Sequence, residues 1–334
     1  MVKQIAQTHE FLIAVTIVFL SIVIGSINPA YFSVASLFDL LRNATVYGIL
    51  AMGALVVLIS GGIDVSFPAI AAATSYLAVK ILIATGYQGP TWLPFLLALP
   101  FGLLLGMLNA TIISWFRLPA LIVTLGTASM TYGFVLFFIG NLTLYNLPAG
   151  MVSYRTMSLM TVRDPLVGTS SLHPSVLLLG AAVLGVWILL RFTLIGRGIY
   201  ALGGNREAAE RSGFNVRLIE YVVYSLAGVL ASIAGVIQVV LYRNANPAAL
   251  MGTELDVIAA VVLGGASITG GRGTVIGAGL GLILVTILKS GLTLVGISSE
   301  WQKVAIGIAL ILGASIPAIR MARRNWPMTS TLLE

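Results

Sequence analysis

"RFTLIGRGIYALGGNREAAERSGFNVR", Arg191–Arg217, gathers five arginines and two glutamates, in a chain of 334 residues with only 18 basic and 11 acidic side chains. Long apolar runs flank it on both sides, so it reads as a segment that leaves a bilayer and returns to it. The rest of the composition agrees. The chain is 58% hydrophobic and 9% charged, with a mean hydropathy of +1.04. Soluble domains need about 25% charged residues to cover their surface. The fold class expected is therefore all-α, a polytopic membrane protein. There is no cysteine, which excludes disulfides, thiolate metal sites and thiol nucleophiles. The net charge of +7 is read as the basic bias of cytoplasmic loops and not as a nucleic-acid surface, because no basic patch interleaved with aromatics stands outside the loops.

Working outward from that segment, stretches of roughly 20 apolar residues mark candidate spans. Ten are found, near 11–27, 45–60, 67–84, 93–115, 120–141, 174–192, 219–241, 254–268, 273–296 and 302–319. The first runs on into Asn28 and Pro29 with no small-residue cleavage site, so it is read as an uncleaved anchor. With the amino terminus inside, eleven of the 18 basic residues fall on inner segments, among them Lys3, Arg117, Arg272, Arg320, Arg323 and Arg324. The positive-inside rule then puts both termini, and Arg191–Arg217, on the cytoplasmic side.

Within the opening stretch, Gly203 and Gly204 break the chain and Asn205 is suited to cap the next amides. Glu207 lies in the first turn, where the helix dipole favours an anion, and Gly213 is placed to close the helix in the left-handed conformation. Ala208, Ala209 and Ser212 then form a face of small residues. About two turns of helix do not persist alone in water, so this one needs a docking partner. A solvated loop whose arginines only pin the topology is the plainer alternative.

The sequence "GGNREAAERSGFNV" resembles the EAA-type cytoplasmic coupling segment of ATP-binding-cassette (ABC) transporter permeases, in the form found in ribose, xylose, arabinose and galactofuranose importers. "LISGGIDVSF" (Leu58–Phe67) is similar to a Gly-Gly-Ile-Asp-x-Ser motif of the same permeases, and "VVLGGASITGGRGTVIGAGLG" (Val261–Gly281) to their glycine-rich segment; "LPALIVTLGT" (Leu118–Thr127) lies between them in order. Phe67-Pro68 departs from the Val-Gly more often found after that serine. The resemblance implies a type II-like importer fold in one transmembrane domain, 1–334, with coupling residues Gly204, Asn205, Glu207, Ala208, Ala209, Ser212 and Gly213. It also implies partners: a second permease subunit, cytoplasmic ABC ATPase subunits, and a periplasmic or lipid-anchored binding protein.

The motifs have physical readings of their own. Asp64 is a carboxylate between apolar runs, and an ionisable group at membrane depth is a functional candidate. Gly61 and Gly62 are expected to break a helix and free amides for Asp64, with Ser66 capping the helix that Pro68 begins. A structural role for Asp64 in that break is preferred to direct sugar contact. Gly264, Gly265, Gly270, Gly271 and Gly273 do not form a phosphate loop, since no GxxxxGK[ST] is present, so any ATP-driven step belongs to another polypeptide. No cofactor or metal is expected. Two spans, through Gly102–Ile112 and Gly281–Leu292, echo each other faintly, as in an inverted repeat. In that plan Asn109 and Gln238 are the intramembrane amides best suited to a hydroxyl-rich solute, although each is as readily a packing hydrogen bond.

Two function classes follow. One is the permease subunit of an ABC importer for a simple sugar or similar polyhydroxylated solute. The other is an ion-coupled secondary carrier, which should carry several intramembrane carboxylates; Asp64 is read as nearly alone, which favours the first. An enzyme is not supported, since His9 and His173 lie in a tail and a loop with no nucleophile and base spaced to act together.

Overall fold

The structure, a computed structural model, describes residues 9–164, 168–298, 300–309 and 311. Lys3, Arg320, Arg323, Arg324 and half of the tenth expected span lie outside the described residues. Eight helices among the described residues are long and apolar enough to cross a membrane. They are α1 (His9–Ile27), α2 (Val34–Ile59), α3 (Phe67–Ala84), α4 (Trp92–Phe116), α5 (Ala120–Phe134, prolonged by a π-turn at Val135–Ile139), α7 (Ser175–Phe192), α10 (Val216–Tyr242) and α12 (Val275–Leu294). Between them lie α6 (Ala149–Thr156), α8 (Leu194–Gly204), α9 (Arg206–Arg211) and α11 (Glu254–Leu263). The chain is thus a polytopic all-α membrane protein.

Two expected spans are corrected. The second starts eleven residues before its expected Thr45, at Val34, where the Ser33 hydroxyl accepts from the Ser36 amide; the polar residues Asp39, Arg42 and Asn43 depress the hydropathy there without interrupting the helix. The eighth, expected at 254–268, is the ten-residue α11, roughly 15 Å long and half a bilayer deep. Gly252 on one side and Gly265 on the other adopt positive φ (84° and 93°) and stop it at both ends. The long 142–173 loop holds a small antiparallel hairpin, β1 (Met160–Asp164) with β2 (Gly168–Leu172), in which Met160 pairs with Leu172.

The second half of α2 is apolar all round and buried, as befits the central helix of a bundle. α10 packs against it and crosses α4 and α3. The crossing with α4 is close because small residues meet there: a Cβ on Gly106 would lie 2.3 Å from the Tyr224 carbonyl oxygen, and one on Gly228 2.1 Å from that of Gly102. In a bilayer, where lipid is as apolar as leucine, such backbone approach is a main source of helix association. α4 ends beside α10's start, where Arg217 lies over the Trp115 ring, whereas α12 starts at the same end of the bundle, with Gly273 against Ile59. The two echoing helices therefore run antiparallel, the geometry an inverted repeat requires.

Candidate functional site at the glycine junction

The break between α2 and α3 is built by short-range hydrogen bonds. Gly61, at φ 86°, donates its amide to the Leu58 carbonyl and Gly62 donates to Val57, so both glycine amides close α2. They are not free for Asp64, as expected from sequence, because the carbonyls of the last helical turn take them first. Asp64 is held from the other side: its Oδ1 accepts from the Ser66 amide and from the Ser66 hydroxyl, each at 2.6 Å. Ser66 stands at the start of α3 but makes no side-chain cap, the second correction at this site, because its hydroxyl is spent on Asp64. Asn109 Nδ2 of α4 donates to Ser66 Oγ at 2.8 Å. Thr124 of α5 donates to the Ile63 carbonyl at 3.2 Å and accepts from the Val65 amide at 3.3 Å. Asp64, Ser66, Asn109 and Thr124 are all buried, and the buried Asn109 Oδ1 has no hydrogen-bond partner. Two flanking helices thus clamp an unwound segment, the arrangement in which non-helical backbone is tolerated at membrane depth.

Tyr224 of α10 lies against the same break. Its hydroxyl is where only a glycine leaves room, since a Cβ on Gly62 would sit 2.3 Å from it. Gln238, by contrast, is half-buried on α10 fourteen residues further on, roughly 21 Å along the helix, and does not join this group.

Three segments distant in sequence meet just beyond the break. Gly271 donates its amide to the Ile59 carbonyl at 2.9 Å. A Cβ on Gly203 would lie 1.8 Å from that carbonyl oxygen, and one on Gly270, at φ 89°, would lie 2.7 Å from the Gly61 Cα. The end of α2, the end of α8 and the glycine-rich 264–273 segment are therefore in backbone contact, with Tyr200 donating to the Gly273 carbonyl at 2.8 Å to lock the third onto α8. Of the glycines first weighed as a phosphate loop, Gly264, Gly270 and Gly271 pack backbone on backbone.

α9 leaves directly from this junction. Asn205 Oδ1 accepts from the Ala208 amide at 2.9 Å and Gly213, at φ 86°, closes the helix, so both local expectations hold. The faces differ from expectation. Ala209 is buried against the bundle, whereas Gly204, Glu207, Ala208 and Ser212 are exposed, so Ala209 seats the helix and does not share the outward small-residue face. Arg206 is not a freely solvated surface charge. Its guanidinium instead pairs with both oxygens of Glu220 on α10, at 2.7 and 3.2 Å, and Glu210 lies 3.4 Å away. Burial alone would lower the Arg206 guanidinium, but the bonds and charge of Glu220 and Glu210 outweigh it and raise it above its ordinary value.

Glu220, Tyr224 and Thr124 were not singled out from sequence. Glu220 and Tyr224 stand four residues apart in "LIEYVVYSLAG", a spacing that puts both on one helical face, and the charge in an apolar run was the available signal. Asp64 is also less solitary than it reads: Glu220 in α10 and Asp256 in α11 are further carboxylates within helices of the bundle. Among the described residues no group of His, Cys, Asp and Glu could hold a metal ion. The polar side chains gathered here hold helices to one another and offer hydrogen bonds.

Residues 36–314 match the family described as "Branched-chain amino acid transport system / permease component". The chain is 33% identical over 297 residues to the ribose import permease protein RbsC of Escherichia coli (strain K12), covering 88% of this chain and 89% of that one. It is 32% identical to the autoinducer 2 import system permease protein LsrC of Salmonella typhi, covering 93% and 86% of the two chains. Identity to the galactose/methyl galactoside import permease protein MglC of Escherichia coli (strain K12) is 30%, over 93% and 94%. With eight membrane-length apolar helices among the described residues, a clamped helix break and a match that takes in all three of its motifs, the chain belongs to the family of branched-chain amino acid transport system permease components.

Proposed function

We propose that the chain is the transmembrane permease subunit of an ABC importer, forming the path by which a simple sugar or similar polyhydroxylated solute moves inward. The relatives named for import of ribose, of autoinducer 2 and of galactose support the solute class and the direction. In this reading both termini and α9 are cytoplasmic, and α9 docks on a separate ATPase. The chain pairs with a second permease subunit in the bacterial inner membrane and receives solute from a periplasmic or lipid-anchored binding protein.

The observation that carries the reading is the seating of α9. Its outer face offers the small residues Ala208 and Ser212 to a groove, while Ala209 and the Arg206–Glu220 pair fasten its inner face to α10, beside the junction that ends α2. A push on α9 is thereby delivered to the helix break at Asp64. Enlarging the outer face with Ala208→Phe should release the ATPase during purification and abolish uptake, while the permease stays folded in the membrane. Normal ATPase stoichiometry with normal uptake in that variant contradicts the docking. Uptake that collapses with a protonophore while cellular ATP is maintained would favour the ion-coupled carrier.

A further inference from the structure

A cavity of about 670 Å³ lies between the first half of α2, the start of α11 and the last half of α12, at the end of the bundle away from the glycine junction. Its lining is polar for a site between membrane helices. Lys289 Nζ of α12 donates to Asp256 Oδ2 of α11 at 2.6 Å, and the same ammonium stands 4.4 Å from the centre of the Tyr47 ring. Asn43 Nδ2 donates to Ser290 Oγ at 3.2 Å, and Asp39 pairs with Arg42 one turn earlier on α2. Neither the helix break nor α9 uses these residues.

Ion pairs are poor packing. Apolar side chains of the same volume would serve α2, α11 and α12 as well or better, because withdrawing two charges from water costs much of what their attraction returns. Polar residues that lie within spans and line an open space are better explained by something that binds there. The wall charges cancel, Asp39 and Asp256 against Arg42 and Lys289. Donors and acceptors therefore stand side by side with no net charge to attract an ion. A neutral ligand dense in hydroxyls uses both kinds at once, since each hydroxyl donates to a carboxylate and accepts from an ammonium or amide. The volume lies within the range of small-molecule sites.

We infer that this cavity is a binding site for a neutral polyhydroxylated solute, separate from the Asp64 break, with Asp256 and Lys289 as its principal contacts. The inference rests on the sugar-import reading for its choice of ligand. In the assembled complex the solute would meet this site at the opposite end of the path from α9.

The chain has no cysteine, so Ser290→Cys places a single thiol on the cavity wall. In cells carrying the whole complex, its reaction with a membrane-impermeant methanethiosulfonate is timed with D-ribose, D-galactose, myo-inositol, gluconate or glycerophosphoethanolamine added at high concentration. The expected result is labelling from the outer side that at least one neutral polyol slows about fivefold or more and that gluconate leaves unchanged. Adding Asp256→Asn and Lys289→Met should keep the labelling and remove the protection. If Ser290→Cys does not reach the membrane, Thr293→Cys on the same wall replaces it. An unreactive thiol at both positions, a rate that no neutral polyol changes, equal protection by gluconate, or protection by glycerophosphoethanolamine alone overturns the assignment. Sugar uptake without protection sinks this site and leaves the import reading standing. Protection in a complex that imports no sugar does the reverse.

Discussion

Arg206 and Glu220 are unequal partners, and the inequality predicts how each responds to mutation. The Glu220 side chain is 6% exposed and that of Arg206 33%. Arg206→Ala strands a carboxylate whose one ion-pair partner among the described residues is Arg206, whereas Glu220→Gln leaves a guanidinium that still has Glu210 and water. Removing one partner of a fully buried pair costs about 3–5 kcal/mol; the exposure of Arg206 brings this nearer to about 1–2 kcal/mol. Thermal unfolding in detergent should therefore rank Arg206→Ala as less stable than Glu220→Gln, with the double change Arg206→Met and Glu220→Met recovering part of the loss. An equal loss from both single changes would mean that the pair is not buried as described. At Asp64, one carboxylate oxygen accepts both Ser66 bonds, and an amide oxygen accepts them equally well. Asp64→Asn should accordingly fold better than Asp64→Ala, which orphans two buried donors at about 1–3 kcal/mol each. Equal yields of the two variants would remove this role.

At the scale of elements, the break between α2 and α3 depends on a glycine matched to a tyrosine. Gly62→Ala drives a methyl toward the Tyr224 hydroxyl, so it should lower membrane yield, and Tyr224→Phe should rescue part of the loss by vacating that space. Additive losses in the double variant would refute the match. A second element-level prediction concerns His173, in the loop that joins β2 to α7. Its Nδ1 accepts from the Ser175 amide at 3.1 Å, which leaves the proton on Nε2, facing the Tyr154 carbonyl at 3.0 Å. Burial, aided by the Arg42 and Arg155 charges and opposed by the Tyr154 bond, lowers its pKa below the ordinary 6.5. Below about pH 6.5 the unfolded loop takes up the proton more readily than the folded one. Stability is thus complete above that pH and falls as the pH drops toward the folded value. After correction for the intrinsic pH dependence of amide exchange, protection over residues 149–175 should fall from pH 7.5 to pH 5 in the wild type, and should change less in His173→Gln. An identical pH response in both would exclude His173 as the cause.

Across the whole molecule, what was legible in the sequence was what is local or averaged. Apolar spans are sums over about 20 residues, so α3 and α7 fall within a residue of their expected bounds. The Asn205 cap and the Gly213 stop need only neighbours in the chain. α11 was overlong in the sequence reading because apolar residues continue past the glycines that turn the chain. Which side of α9 faces inward was not legible at all: Ala208 and Ala209 are chemically identical, and a charge pair with Glu220, fourteen residues after Arg206, decides between them. The meeting of Gly61, Gly203 and Gly270 is likewise a product of tertiary folding, visible in sequence only as three separate glycine clusters.

The central claim, that α9 is the point where a separate ATPase grips this permease, is tested most directly by single cysteines at the exposed positions 208 and 212 of the cysteine-free chain. The account predicts that both react with an impermeant thiol reagent only from the cytoplasmic side, and that a short bifunctional reagent joins either one to the ATPase subunit, whereas a cysteine at 209 does neither. Labelling of positions 208 and 212 from the outer side, or cytoplasmic labelling with no crosslink to the ATPase in an actively transporting complex, would contradict it.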